Sequence, residues 1–127
     1  MRALCVSVLL LLPTLAQADP VVGLWKTEPD KKNLVSHIAV SSCGAKICGK
    51  IMKAFDRSGK EVSTPNVGKT LFWYMQPTGG GKYSDGTVYL ATLNIKARGS
   101  MELKGNAIRV TGCKGPACYG QTWTRLN

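Results

Sequence analysis

Histidine is nearly absent from this chain: there is one, His37, in 127 residues. Acids are scarce too, seven Asp and Glu against seventeen Lys and Arg. A lone histidine inside a strand-like run supplies neither a metal-ligand pair nor a relay between a nucleophile and a carboxylate. Gly-x-Ser-x-Gly, metal-spaced histidines and phosphate-binding loops are all missing. Gly79-Gly80-Gly81-Lys82 has the glycines of a phosphate loop. It lacks the Ser or Thr that should follow and the strand-to-helix setting. The acids Asp19, Glu28, Asp30, Asp56, Glu61, Asp85 and Glu102 are scattered along the chain rather than paired. These gaps argue against an enzyme, and no catalytic residue, metal ligand or cofactor is expected. Helical apolar periodicity is also lacking.

What is present begins with a leader. Arg2, the uncharged apolar run Leu4 to Leu12, Pro13 and the small residues of Ala16-Gln17-Ala18 make the three-part pattern of a secretory signal peptide over residues 1–18. The run is too short to span a hydrocarbon core, which takes about 20 residues. No cysteine directly follows it, so lipoprotein processing is not expected. Cleavage after Ala18 would export the product to the periplasm or beyond. Removing 18 of the 127 residues leaves 109, a single domain over 19–127 with no transmembrane segment. A chain of that size buries roughly two-thirds of its unfolded surface. Losing Arg2 takes the net charge from +10 to +9. So basic a domain is drawn to anionic surfaces such as lipid headgroups and envelope polymers, with no specific nucleic-acid target implied.

Four cysteines remain after the leader: Cys43, Cys48, Cys113 and Cys118. In an exported domain they read as disulfides, with three pairings possible. The local one, Cys43 with Cys48 and Cys113 with Cys118, is favoured. Each spacer carries a turn former, Gly44 in one and Gly115-Pro116 in the other. A thiolate zinc site usually places two residues between paired ligands, not four. The Cys-x-x-Cys of redox-active dithiols is absent.

Short alternating runs separated by Gly, Pro, Asn and Asp dominate the rest and predict strands. They are expected at 21–28, 34–41, 46–55, 69–76, 87–97, 100–104, 107–111 and 119–126. Residues 56–68 and 77–86 are expected as loops, and Gly105-Asn106 as a two-residue hairpin turn. In the third strand Ile47, Gly49, Ile51 and Phe55 fall on one face. The fold class is therefore all-β: a small antiparallel meander of about eight strands. Closing into a barrel is the simplest way for such a sheet to lose its edges. Eight strands enclose either packed side chains or one small ligand, and so short a chain is expected to fill much of the interior.

Two residue groups stand out. A closed meander makes its first and last strands neighbours. Gly23 and Trp25 would then meet Trp123 and Arg125, with Arg125 over the Trp25 ring in a structural cation–π contact that plugs one barrel end. The second group, Phe72, Trp73, Tyr74, Lys82 and Tyr83, is the best candidate for a recognition surface. Aromatics on both faces of one strand put one set inside and the other outside, and an outside aromatic beside a lysine can stack on a sugar or base; packing of this strand under the glycine-rich loop is the alternative.

Four segments then carry a family resemblance. They are the early Gly23-Leu24-Trp25, SSCGAKICGKI from Ser41, NVGKTLFWYMQPTGGGKYSDGTVY from Asn66, and RVTGCKGPACYGQTWTRLN from Arg109. Together they resemble the small exported bacterial proteins of domain-of-unknown-function family 2147. The resemblance covers nearly the whole mature chain and implies a lipocalin-like architecture. It brings no assigned activity and no functional residues. One departure is visible. Where the family pattern would place a Pro- and Asp-bearing turn leading to Lys-x-Tyr, this chain has Leu90-Ala91-Thr92-Leu93-Asn94-Ile95-Lys96-Ala97.

Two functions follow as expectations for what reads as a monomer. The first is a non-catalytic module that binds a small apolar or amphipathic ligand, which requires an apolar cavity of a few hundred Å³. The alternative is an envelope-interaction protein. Its basic exterior, including Lys46, Lys50, Lys53, Arg57 and Lys60, would engage an anionic polymer or lipid surface.

Overall fold

Strands form here where apolar and polar residues alternate, and glycines at positive φ turn the chain in several of the hairpins between them. The computed structural model describes residues 3–9 and 18–127. Much of the expected leader, Met1 and Arg2 with Leu10 to Gln17, lies outside the described residues. The strands are β1 (Gly23–Lys26), β2 (Val35–Cys43), β3 (Lys46–Phe55), β4 (Glu61–Val62), β5 (Thr70–Gly79), β6 (Lys82–Leu90), β7 (Ile95–Lys104), β8 (Ala107–Lys114) and β9 (Ala117–Arg125). Among the described residues there is no helix. The sheet runs β2-β1-β9-β8-β7-β6-β5-β3-β4, and β2 also pairs with β3. That extra pairing closes an eight-stranded antiparallel barrel, with the two-residue β4 as an appendage on β3. The first and last strands are neighbours, Trp25 opposite Arg125 and Lys26 opposite Thr124.

Three expectations need correction. The segment 77–86 is not a loop: β5 runs to Gly79 and β6 starts at Lys82. The turn is tight because Gly79, Gly80 and Gly81 all adopt positive φ, at 95°, 63° and 78°. Residues 87–97 are not one strand. The chain reverses at Ala91–Asn94, where Asn94 takes φ 51° and its Oδ1 accepts from the Tyr89 hydroxyl at 2.6 Å. Backbone turn bonds, from the Leu93 amide to the Leu90 carbonyl at 3.1 Å and from the Asn94 amide to the Ala91 carbonyl at 3.3 Å, end a strand that hydrophobic alternation alone would prolong. The expected short strand at 100–104 is thus the far half of β7.

The third correction concerns a face. Ile47, Gly49 and Ile51 point inward as expected, but Phe55 does not. The β2–β3 register shifts between His37 and Ile38, so Met52 is an extra residue and the alternation inverts beyond it. Ala54 is buried instead, and Phe55 stacks outside on His37, ring centroids 4.4 Å apart. A bulge also shapes β5. Its register against β3 shifts and Tyr74 sits at φ 54°. Phe72 and Met75, three residues apart, therefore both point inward and are fully buried.

The core joins Trp25, Ile38, Ile47, Phe72, Met75, Tyr83, Met101, Ile108 and Trp123 with smaller neighbours. Burying one large apolar side chain of this kind contributes about 1.5–3 kcal/mol. Gly49 is required beneath Phe72, because a Cβ there would lie 2.2 Å from the ring. Both local disulfides form, Cys43–Cys48 in the β2–β3 hairpin and Cys113–Cys118 in the β8–β9 hairpin. The two hairpins lie at opposite ends of the barrel.

Candidate functional site

One end of the barrel is sealed by the chain entering and leaving it. The segment Asp19–Val22 folds under β1, where the Asp19 carboxylate accepts from the Val21 amide at 2.9 Å. Val21 is completely buried, and its carbonyl accepts from the Trp25 indole at 2.9 Å. Arg125 lies over the Trp25 ring, 4.4 Å from its centroid. Its guanidinium also donates to the carbonyls of Pro20 at 2.5 Å and Val22 at 3.4 Å. Gly23 adopts φ 146°, and a Cβ there would stand 3.1 Å from the Arg125 guanidinium. Tyr83 reaches in from β6 and donates its hydroxyl to Asp19. Burial pushes the Tyr83 phenol above its ordinary ionisation range, and the Asp19 hydrogen bond and charge push it further.

The other end is open. Its rim is the β1–β2 loop, the loop between β4 and β5, the Ala91–Asn94 turn and the start of β9. Below the rim is a cavity of about 590 Å³. Ile38, Ile51, Ala54, Leu71, Val88, Leu90 and Val110 line its walls, and Trp123 lies at its foot. Trp123 packs against Phe72, centroids 6.1 Å apart, and so divides the cavity from the filled half. The charged lining residues Glu28, Asp30, Lys31 and Lys32 all belong to the exposed β1–β2 loop. Among the described residues no charged or polar residue is buried. The interior is filled at the sealed end and hollow at the open one. The difference arises at inward positions of the open half, where Ala54 and branched aliphatic side chains line the space without filling it.

The structure divides the five candidate recognition residues. Phe72 and Tyr83 are inside the barrel, 0% and 3% exposed, and cannot form part of an outer surface. Trp73, Tyr74 and Lys82 face out, Tyr74 being 56% exposed. Lys96 sits over the Trp73 ring at 5.3 Å from its centroid. Trp73, Thr87, Arg98 and Cys113 align in one row across β5 to β8 on the outer face.

Nothing in the sequence singles out the cavity residues as a site. Their signal is the ordinary alternation of core strands. Alternation tells which side chains point inward, but not whether opposite walls meet. Among the described residues no cluster of His, Cys, Asp and Glu could hold a metal ion. No helix among them is long and apolar enough to cross a membrane.

Comparison with known proteins agrees with this architecture. A solved Helicobacter pylori structure, described as protein HP1028 belonging to the lipocalin family, superposes with a TM-score of 0.66 at 15% identity. The match covers 84% of this chain and 82% of that one, and at this identity it speaks for the fold. No curated protein matches the chain. The family model for an uncharacterised protein conserved in bacteria, domain-of-unknown-function family 2147 (DUF2147), matches residues 23–125, and the chain belongs to that family.

Proposed function

We propose that this protein is an exported, non-catalytic binding module that holds one small apolar or amphipathic molecule in the open half of its barrel. The observation that carries this reading is the cavity of about 590 Å³, mostly apolar in its walls and charged only at its rim. Sites for small ligands fall in the range of about 300–1,000 Å³, mostly apolar with few polar groups. The fold shared with a lipocalin-family protein supports the reading, as does a pair of disulfides suited to an oxidising compartment. The departure from the family pattern at Leu90–Ala97 falls on the cavity rim, where Leu90, Ala91, Thr92 and Leu93 line the opening. A change there alters what enters without disturbing the core.

The test is a native mass spectrum of protein exported from the full precursor and purified without detergent. The expected spectrum shows an added mass of a few hundred daltons that vanishes on denaturation. A bare native mass, together with no uptake of the neutral dye N-phenyl-1-naphthylamine, would overturn the reading.

A second reading keeps one specific observation. Among the described residues a single ion pair forms, Glu102 with Lys104 at 3.6 Å. The row Lys26–His37–Lys53 across β1 to β3 has no carboxylate in ion-pair range. Burial, then Lys53 and Lys26, push the His37 pKa below its ordinary value, against a smaller opposing pull from Glu61. Such a lysine-rich outer face suits an anionic envelope polymer or lipid surface. Its signature is binding that weakens steeply as salt rises.

A further inference from the structure

We propose that Gln121 is the polar anchor of the cavity and receives the carbonyl oxygen of an uncharged ligand: an ester, amide or ketone. This rests on the ligand-binding reading and narrows it. Gln121 and Trp123 are successive inward residues of β9, and both line the cavity. Opposite Gln121 on β8 is Val110, which is buried and offers nothing polar. The Trp123 indole donates to the Gln121 amide oxygen at 3.0 Å. An indole N–H can only donate, so this bond fixes which end of the amide faces it. The NH₂ group is left pointing elsewhere with two donors, and none of the described residues accepts from it. It is also not sealed off, because no buried side-chain nitrogen or oxygen among the described residues lacks a partner. A pair of donors in an apolar wall, open to the cavity, matches an acceptor atom on whatever fills it.

Depth decides the charge of that acceptor. Tyr119, Gln121 and Trp123 descend one face of β9 from rim to foot. At about 3.3 Å per residue, Gln121 stands about 7 Å above Trp123. The lysines that could neutralise an acid, Lys31 and Lys32, are on the exposed loop at the rim. A carboxylate held at Gln121 would lose its water with no cation in exchange, whereas a neutral carbonyl loses far less and regains its hydrogen bond. The ligand thus lies with a carbonyl inward, not with an acidic head buried.

The experiment is competition against bound N-phenyl-1-naphthylamine by three probes of similar chain length: tridecane, methyl laurate and laurate. It compares wild type, Gln121→Met and Gln121→Glu. Gln121→Met removes the whole amide. Gln121→Glu, ionised at alkaline pH, keeps an acceptor for the Trp123 indole while losing both donors, and a circular dichroism spectrum like that of wild type shows that each variant folds. The expected result is that wild type prefers methyl laurate to laurate. The methyl laurate to tridecane preference, read as a ratio within each protein, should fall about five-fold in both variants, the size of one lost hydrogen bond. An unchanged ester-to-hydrocarbon preference with normal dye binding overturns the anchor alone. Preference for laurate in wild type overturns the neutral-ligand assignment. Failure of wild type to bind the dye and all three probes overturns the ligand-binding reading and the anchor with it.

Discussion

The two ends of this barrel are made from the same strands and do opposite things. At the sealed end the inward positions hold Trp25, Met75, Tyr83, Met101 and Ile108, and the chain's own start folds in as a plug. At the open end they hold Ala54 and branched aliphatics, and a cavity remains. Both ends obey the same period-two alternation. What differs is side-chain volume, so a gradient of residue size along the strands converts one closed sheet into a filled half and a hollow half. The sealed half supplies the packing that keeps the hollow half from collapsing.

The sharpest way to break that comparison is Trp25→Ala. It removes a fully buried ring together with the seat of Arg125. A loss of about 3–5 kcal/mol is expected in denaturant unfolding. Leu71→Ala at the half-buried cavity wall should lose much less, because that side chain already borders empty space. Equal losses at the two sites would contradict the division into a packed half and an open one.

The disulfides offer a finer contrast, one at each end. Either Cys43→Ser or Cys113→Ser should lower stability by about 2 kcal/mol, since both close loops of the same length. Only the Cys113 change lies beside the rim residues Tyr119 and Gly120, so only it should also weaken dye binding. Equal melting temperatures with and without reductant would sink the stability claim.

The smallest expected effect is a pH dependence confined to the sealed end. The Tyr83 phenol has a folded pKa above its ordinary value of 10.0. Above pH 10 the unfolded chain releases this proton while the folded one keeps it, so unfolding gains and stability falls as pH rises. Below pH 10 the contribution is whole. The Tyr83→Phe variant should show a flatter decline in the alkaline range, measured by denaturant midpoints, while its dye affinity stays constant. An identical alkaline slope in variant and wild type would show that Tyr83 has no part in it.

Much of this architecture is legible in the sequence. Alternation around Ile47, Gly49 and Ile51 marks the inner face of β3. Cys-x4-Cys marks two hairpins, and the early Trp25 and late Arg125 mark the seam where the barrel closes. The failures share a physical cause. Phe55 and the pairing of Phe72 with Met75 turn on bulges, which insert one residue and invert every face beyond it. Ala91–Asn94 turns on backbone hydrogen bonds that the apolar pattern of Leu90, Leu93 and Ile95 conceals. The cavity is hidden for a different reason. Ala54, Val88 and Val110 read as ordinary core residues, and only the distance across the barrel shows that they leave a gap. Gln121 is visible as the strand mate of Trp123. Its role depends on an indole hydrogen bond that turns its amide group into the cavity.

The proposed binding site is the open half of the barrel, and not the sealed half or the outer face. An NMR titration of the ¹⁵N-labelled mature protein with methyl laurate, following every backbone amide, separates the three. Shifts are expected to concentrate at Ile38, Ile51, Leu71, Val88, Val110 and Gln121, with Val21, Trp25 and Tyr83 unmoved. Shifts centred on the sealed end, or on the outer row of Trp73, Thr87 and Arg98, would place the site elsewhere and contradict the assignment.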